Sequence, residues 1–509
     1  MMDYTLFFEK NDQLAFSLLQ KFFVRRNMIV IVSSILDTLP ISEYKLNQLL
    51  TTINNDLAQV HYSKSPKITS PDKNILKGEN ITTTVMNEIR LLYLKRSVLF
   101  ALFQYNFLQT KTVSKATFMK QNFISKTKFY ASGVELKQIL KDSDFYQSPN
   151  IIKNPEYVLR LHIFEFFYTA FNGIDSPFED MNVKINNLII RIQAQFSFIL
   201  KPIQKSKLEI FLKIWILRMQ NGNNLTDKLI SPANIMPDVT EKLTSIQTFI
   251  QEQFNVDVKK EELNYLYTFL LTQEYVNGIQ RVLTKDDYPL AYKLTNDLVD
   301  QIRAVGMLND PTKFDPTDLY SALTCIHLRF ITLYIEPTTF ISLEQVSFFQ
   351  QTYPIFHTII NRYINDIKSK KLMRLNQRES ANLYFDYMFA FITTIPKDLL
   401  LDKVHICVDF SQGSIYNNYI MSTLEGFANA NIVIESNLSR TTDIYLSDFY
   451  STSVNKSQTV WRDPPSPDDW ADLGDSIVRL KQAKVNNLTD QNSPLSREDP
   501  DDGTPNPHL

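Results

Sequence analysis

Ten glycines in 509 residues are the strongest constraint on how this chain folds. That is about a third of the usual share of roughly 7%. Glycine supplies the positive φ of tight turns and lets one backbone approach another closely. A chain so poor in it suits helices, and suits barrels or phosphate-cradling loops badly. The 35 Phe and 24 Tyr fall largely at helical spacing and read as packing between helices. The length exceeds what one core accommodates, so three to five domains are expected. The 44% hydrophobic and 21% charged balance is that of a soluble globular protein. Cys325 and Cys407 are the two cysteines and lie far apart, which excludes a disulfide framework and fits a reducing cytoplasm. The N-terminus lacks a basic segment followed by an apolar one, and no stretch approaches 18 uninterrupted apolar residues. Neither a leader nor a membrane span is expected.

The net charge of −2 hides an asymmetry. Residues 1–145 carry a net +7 and the rest −9. A basic N-terminal part on an acidic body points to a polyanionic partner. The same region holds a repeated pattern. Leu14, Leu18, Leu19, Phe22 and Phe23 form the apolar face of a first helix, and a second is expected over Ile29–Leu39. Pro40-Ile41-Ser42 makes a turn, and Ser42 caps a third helix to Leu57 that buries Leu46, Leu49, Leu50, Ile53 and Leu57. Its opposite face shows Tyr44, Lys45, Asn47, Gln48 and Thr51. A short turn followed by a helix with such a face is the pattern of a helix-turn-helix, whose second helix enters the major groove. Residues 59–79, with two prolines and four lysines, suit a wing or short hairpin. The pattern then recurs: an apolar helix over Thr84–Leu108, a short one from Ser114, a Phe123-Ile124-Ser125 turn and a helix to Lys141. Ser125, Lys126, Thr127, Lys128 and Tyr130 mark its start, and Gly133, a residue that weakens helices, lies inside it.

From Pro155 to Thr394 the chain reads as helical. Phe254–Val258 is a short extended run, and Glu262 precedes Leu266-Tyr267 as Glu379 precedes Leu383-Tyr384, a weak internal repeat. After Lys397 the period changes. Val404–Val408, Ile432–Ile434 and Ile444–Leu446 read as strands, with a helix over Tyr416–Phe427 and a last helix to Ala483. From Asn486 a polar, Pro- and Asp-rich tail is expected to be disordered.

The order of Ile41–Leu50 with Ile53–Leu57, Phe123–Thr127, Asn154–Arg160, Phe254–Val258 with Glu261–Leu266, and Ser411-Gln-Gly413 resembles the Mga/RofA-like regulators of low-GC Gram-positive bacteria. The resemblance implies two N-terminal DNA-binding units, two domains like the sugar-phosphotransferase regulation domains, and a C-terminal domain like a phosphotransferase IIB component. It further implies an activator of virulence or sugar-linked genes that oligomerises through its C-terminal part. Regulation domains of this class are commonly controlled by histidine phosphorylation. Here Ser206 stands near the family's histidine, and Asn382–Ile392 has none. His162 and His327 are the substitutes, each with a packed, hydrogen-bonded histidine as the competing reading. A IIB-type phosphocarrier needs a cysteine in the loop after the first strand. Cys407 sits within the strand instead, and the loop Phe410–Ser414 has no cysteine.

The expectation is a mainly α multidomain protein: helix-turn-helix units at 1–80 and 81–150, all-helical regulation-like domains at 151–283 and 284–396, a small IIB-like α/β domain at 397–485, and a tail at 486–509. It is expected to be a cytoplasmic, non-enzymatic regulator of double-stranded promoter DNA, forming a homodimer or higher oligomer. No cofactor, metal or membrane is expected. RNA polymerase and phosphotransferase carriers are candidate partners. A phosphotransferase component and an RNA-binding antiterminator are the competing functions.

Overall fold

The computed structural model describes residues 3–25, 27–39, 41–60, 65–147, 154–171, 173–225, 237–276, 288–304, 308–335, 343–426, 431–462 and 464–490. Pro40, Phe427 and the tail from residue 491 lie outside them. The architecture is mainly helical, with a small parallel sheet near the C-terminus. Two compact units divide the chain, one of residues 1–277 with 332–338, the other of 278–331 with 339–509.

The first unit opens with α1 (Lys10–Phe23), β1 (Ile29–Ile31), α2 (Val32–Thr38) and α3 (Glu43–Leu57), followed by the hairpin of β2 (Lys67–Asp72) and β3 (Ile75–Glu79). The strands form an antiparallel sheet in the order β1-β3-β2. This is a three-helix core with a wing. The wing lies where the polar 59–79 stretch suggested it. The helix expected over Ile29–Leu39 starts three residues late. Ile29-Val30-Ile31 are β-branched and stiff at χ1, and their backbones pair with Ile75–Lys77 while Val30 is buried.

The single helix expected over Thr84–Leu108 is in fact α4 (Thr83–Lys95), α5 (Val98–Gln104) and a π-helical turn at Tyr105–Gln109. Ser97 makes the break. Its hydroxyl accepts from the Phe100 N–H (3.2 Å) as an N-cap and donates to the Phe7 carbonyl. Next come α6 (Lys115–Gln121) and α7 (Lys126–Asp142). Gly133 does not interrupt α7, and a Cβ there meets nothing within 4 Å. Among the described residues, five long helices follow in this unit: α8 (Pro155–Phe171), α9 (Asn182–Phe196), α10 (Pro202–Gln220), α11 (Pro237–Phe254) and α12 (Lys260–Thr272). At their centre Arg160, fully buried, makes two hydrogen bonds to Glu262 (2.6 and 2.9 Å), one to Glu156 (2.8 Å) and one to the Asn223 carbonyl (2.7 Å). Glu262 also accepts from Trp215 Nε1 and the Leu225 N–H, both at 2.7 Å. A buried ion pair persists only when its remaining polar atoms are satisfied in this way.

The second unit carries α13 (Pro289–Ala304), α14 (Thr317–Ile331), α15 (Leu343–Thr352), α16 (Pro354–Ser369) and α17 (Gln377–Thr394). Glu379, the apparent counterpart of Glu262, serves differently. It closes a capping box by accepting from the Asn376 N–H (2.8 Å) at the exposed start of α17. The chain then forms β4 (Val404–Val408), α18 (Ser414–Glu425), β5 (Ile432–Glu435), β6 (Ile444–Ser447), β7 (Ser457–Val460) and α19 (Pro467–Asp490). All strands are parallel, in the order β5-β4-β6-β7. Their apolar residues pack with Ile420 and Leu424 of α18 and Leu473 and Ile477 of α19. The fourth strand is new relative to the sequence reading. Helix α19 continues past Ala483 and past Asn486, where the tail was expected to begin.

Candidate nucleic-acid interface

Helix α3 begins where Ser42 accepts from the Lys45 N–H (3.3 Å), supplying one of the partners that helix termini lack. Leu46, Leu49, Ile53 and Leu57 face the core, with Leu50 half-buried. Ser42, Tyr44, Asn47, Gln48 and Thr51 are exposed, and Lys45 is half-buried beside them. Gln48 Nε2 donates to the Tyr44 hydroxyl (2.9 Å), and Thr51 donates to the Asn47 carbonyl (3.1 Å). Asn54 then fastens the wing. Its amide donates to the Ile68 carbonyl (3.0 Å), and its carbonyl accepts from the Ile68 N–H (2.8 Å). Two antiparallel bonds from one side chain hold the hairpin against the helix. Lys73 and Lys77 are exposed on that wing.

Helix α7 repeats the entry geometry. Ser125 accepts from the Lys128 N–H (3.2 Å). Phe129, Leu136 and Leu140 face inward, while Lys126, Thr127, Lys128 and Tyr130 are exposed. Phe123 occupies the turn with φ 53°, a left-handed conformation that bulky residues seldom adopt, and is 97% exposed. The first turn of α7 has no acidic residue and two lysines. Cations at the positive end of a helix are unfavourable by some tenths of a kcal/mol each at the surface, so helix stability does not account for them. Lys128 Nζ stands 3.9 Å from Glu9 across an exposed gap, a weak pair.

The two patterns are joined by a residue the sequence reading missed. Arg96, between α4 and α5, donates through Nε to Asp12 of α1 (2.7 Å) and through both terminal nitrogens to Asp56 of α3 (3.0 Å each). A further bond of 2.5 Å runs to Asp12. Both carboxylates are nearly buried. Paired donors in a planar fork match two carboxylates held by different helices, which is arginine's particular geometry. The only sequence trace of this is an Asp on the inward side of two amphipathic helices.

The candidate regulatory histidines lie in different settings. His162 is partly exposed, its Nε2 3.2 Å from the Gln147 carbonyl and its Nδ1 3.7 Å from Glu165. His327 is fully buried, with Nδ1 2.8 Å from the Thr295 hydroxyl and Nε2 2.7 Å from the Tyr387 hydroxyl. Burial lowers its pKa to about 3. With both ring nitrogens occupied, this conformation offers a phosphoryl donor no open face of His327. Cys407 is likewise buried, and desolvation, with Asp409 and Glu435 nearby, raises its thiol to about 11. In the loop after β4, the Ser411 N–H donates to Asp448 (3.1 Å), and its hydroxyl donates to the same carboxylate. A carboxylate of the chain itself takes the donor that a phosphocarrier loop offers to phosphate.

A capped helix with an exposed polar face, set at a tight turn after a shorter helix, defines a helix-turn-helix DNA-binding module. Residues 82–167, which span α4–α7 and most of α8, match the Mga helix-turn-helix domain, and the match supports an Mga-like family of transcription regulators for this chain. DNA is therefore a partner of the kind this domain binds. No curated protein matches the chain. Among the described residues, no helix is long and apolar enough to cross a membrane, and no group of three or more His, Cys, Asp or Glu is arranged to hold a metal ion.

Proposed function

We propose that the chain grips double-stranded promoter DNA with both N-terminal units, placing α3 and α7 in successive stretches of major groove. Lys45, Lys126 and Lys128 neutralise phosphates, with the positive end of α7 adding to the attraction. Asn47, Gln48 and Thr51 reach base edges, and Ser42, Tyr44, Ser125, Thr127 and Tyr130 complete the contact surface. Lys73 and Lys77 on the wing meet the backbone beside α3. The observation that carries this reading is the shared entry geometry of α3 and α7, a serine N-cap leading into an exposed polar face, one copy of it inside the matched Mga domain.

The reading extends to the rest of the chain. Residues 151–283 and 284–396 act as regulation-like domains, and 397–485 as a IIB-like domain that keeps the fold without the phosphotransfer chemistry. The all-parallel order β5-β4-β6-β7 supports the last assignment, because it is the 2-1-3-4 order of doubly wound sheets. Exposed Ile415 and Tyr419 on α18 support a self-association surface there. The resemblance to Mga/RofA-like regulators supports an activator of virulence or sugar-linked genes. The test is a gel shift of the full chain on AT-rich promoter duplex across a salt series, with RNA as competitor. The affinity falls steeply with salt and duplex DNA outcompetes RNA if the reading holds. Binding indifferent to salt, or preference for RNA, sinks it.

A further inference from the structure

Among the described residues, the second helix-turn-helix has no wing and no counterpart of Asn54. Its support comes from α10. The last turn of α10 and the residue after it reach the segment 105–113, which leads into α6. Arg218 donates to the Phe107 carbonyl (2.5 Å). Asn221, almost fully buried, accepts from the Lys111 N–H (2.7 Å) through Oδ1, and its Nδ2 donates to the Thr110 hydroxyl (3.1 Å). That segment is also part of the core under the recognition helix. Tyr105 stacks on Phe118 of α6 at 4.4 Å between ring centres and meets Phe129 of α7 edge-on at 6.3 Å. Its hydroxyl donates to the Val113 carbonyl (3.2 Å), closing the segment on itself. Phe118 and Phe129 touch in turn, 6.1 Å apart.

Asn221 thus fastens Thr110 and Lys111, which lie in the same short segment as Tyr105, and Tyr105 touches both helices of the module. Packed interiors transmit displacement because they hold few voids. We infer that Asn221 is a positioning residue for α7: it touches no DNA, yet sets where the second recognition helix stands. The inference rests on the proposed DNA contact of α7. It makes the neighbouring helical bundle, through α10, an input to that contact, whereas α3 is held by Asn54 and Arg96.

The test uses the full chain and the tightest duplex that wild type selects from a random library, read by hydroxyl-radical footprinting with thermal melting alongside. Lys128→Ala marks the part of the footprint that belongs to α7. Asn221→Ala removes the side-chain hydrogen bonds to Thr110 and Lys111 and strands the Lys111 N–H, and is expected to weaken binding about tenfold, at roughly one decade per 1.4 kcal/mol. It should lose protection in the α7 part and keep it elsewhere. Asn221→Asp preserves the acceptor for Lys111 and is expected to restore most of that protection. Where Asn221→Ala lowers the melting temperature enough to blur the result, Thr110→Val removes the hydroxyl contacts from the loop side, leaves the Lys111 bond in place and carries the same expectation in smaller measure. Unchanged protection in Asn221→Ala overturns the inference. So does uniform loss over both parts of the footprint, or an Asn221→Asp variant no better than Asn221→Ala. A wild type that protects no DNA overturns the DNA reading itself, and this inference with it.

Discussion

The two N-terminal units enter their exposed helices alike and support them differently. Ser42 and Ser125 make the same N-cap, one after Ile41 and one after Ile124. Beyond the cap they diverge. The first turn of α3 carries Glu43, which offsets the helix dipole, whereas α7 begins with two lysines and no acid. Helix α3 is held by its own wing through Asn54 and by the Arg96 fork through Asp56. Helix α7 rests on an aromatic core whose lead-in segment is gripped by α10. A local signal of helix entry therefore repeats while the scaffold behind it does not, and it is the second unit whose lead-in segment is tied to the helical bundle.

That contrast is easiest to break at Arg96. Arg96→Ala strands two nearly buried carboxylates, and breaking such a pair costs about 3–5 kcal/mol. The low end is expected because Arg96 itself is about a third exposed. Denaturant unfolding followed by amide exchange in α1 and α3 checks this, and a loss below about 1 kcal/mol means the fork contributes little. Acid acts on the compact unit of residues 278–331 and 339–509 through His327, which is buried neutral. Folded His327 takes a proton only near pH 3, and the unfolded chain takes it near 6.5. Over that window the unfolded state binds more protons, so this contribution to stability falls as pH falls, by about 1.4 kcal/mol per unit. Protection factors of the amides in α13–α17, taken against the intrinsic exchange rate at each pH, should fall between pH 6.5 and 5, and His327→Gln should flatten the dependence. An identical profile in the variant contradicts the assignment. The smallest effect is at Gly133. Gly133→Ala should stabilise α7 by about 0.5–1 kcal/mol, because the site has room for the methyl and alanine loses less entropy. DNA affinity should not change.

The parts of this molecule that were legible in the sequence are those set by local chemistry. The cap at Ser42, the inward row Leu46, Leu49, Ile53 and Leu57, and the strand Val404–Val408 all follow from spacing. Parts set by distant partners were not legible. Ile29–Ile31 continue an apolar run, and only pairing with Ile75–Lys77 makes them a strand. The break at Ser97 depends on the Phe7 carbonyl, 90 residues away in sequence. Strand β7, Ser-Gln-Thr-Val, has one strongly apolar residue and gains its place from the parallel ladder to β6. In the candidate interface, the exposed faces were readable, but Asn54, Arg96 and Asn221 were not. Each is a polar residue whose function depends on a partner 14 or more positions away.

The central claim is that both units touch DNA. Salt dependence of affinity for Lys45→Ala and Lys128→Ala in the full chain, each paired with a footprint, tests it most directly. Each phosphate contact contributes about 0.9 to the slope of log affinity against log salt. Both variants should lower that slope by about one and erase protection from different parts of the site. If Lys45→Ala leaves slope and footprint as in wild type while Lys128→Ala alters both, only the second unit grips DNA and the paired reading is wrong.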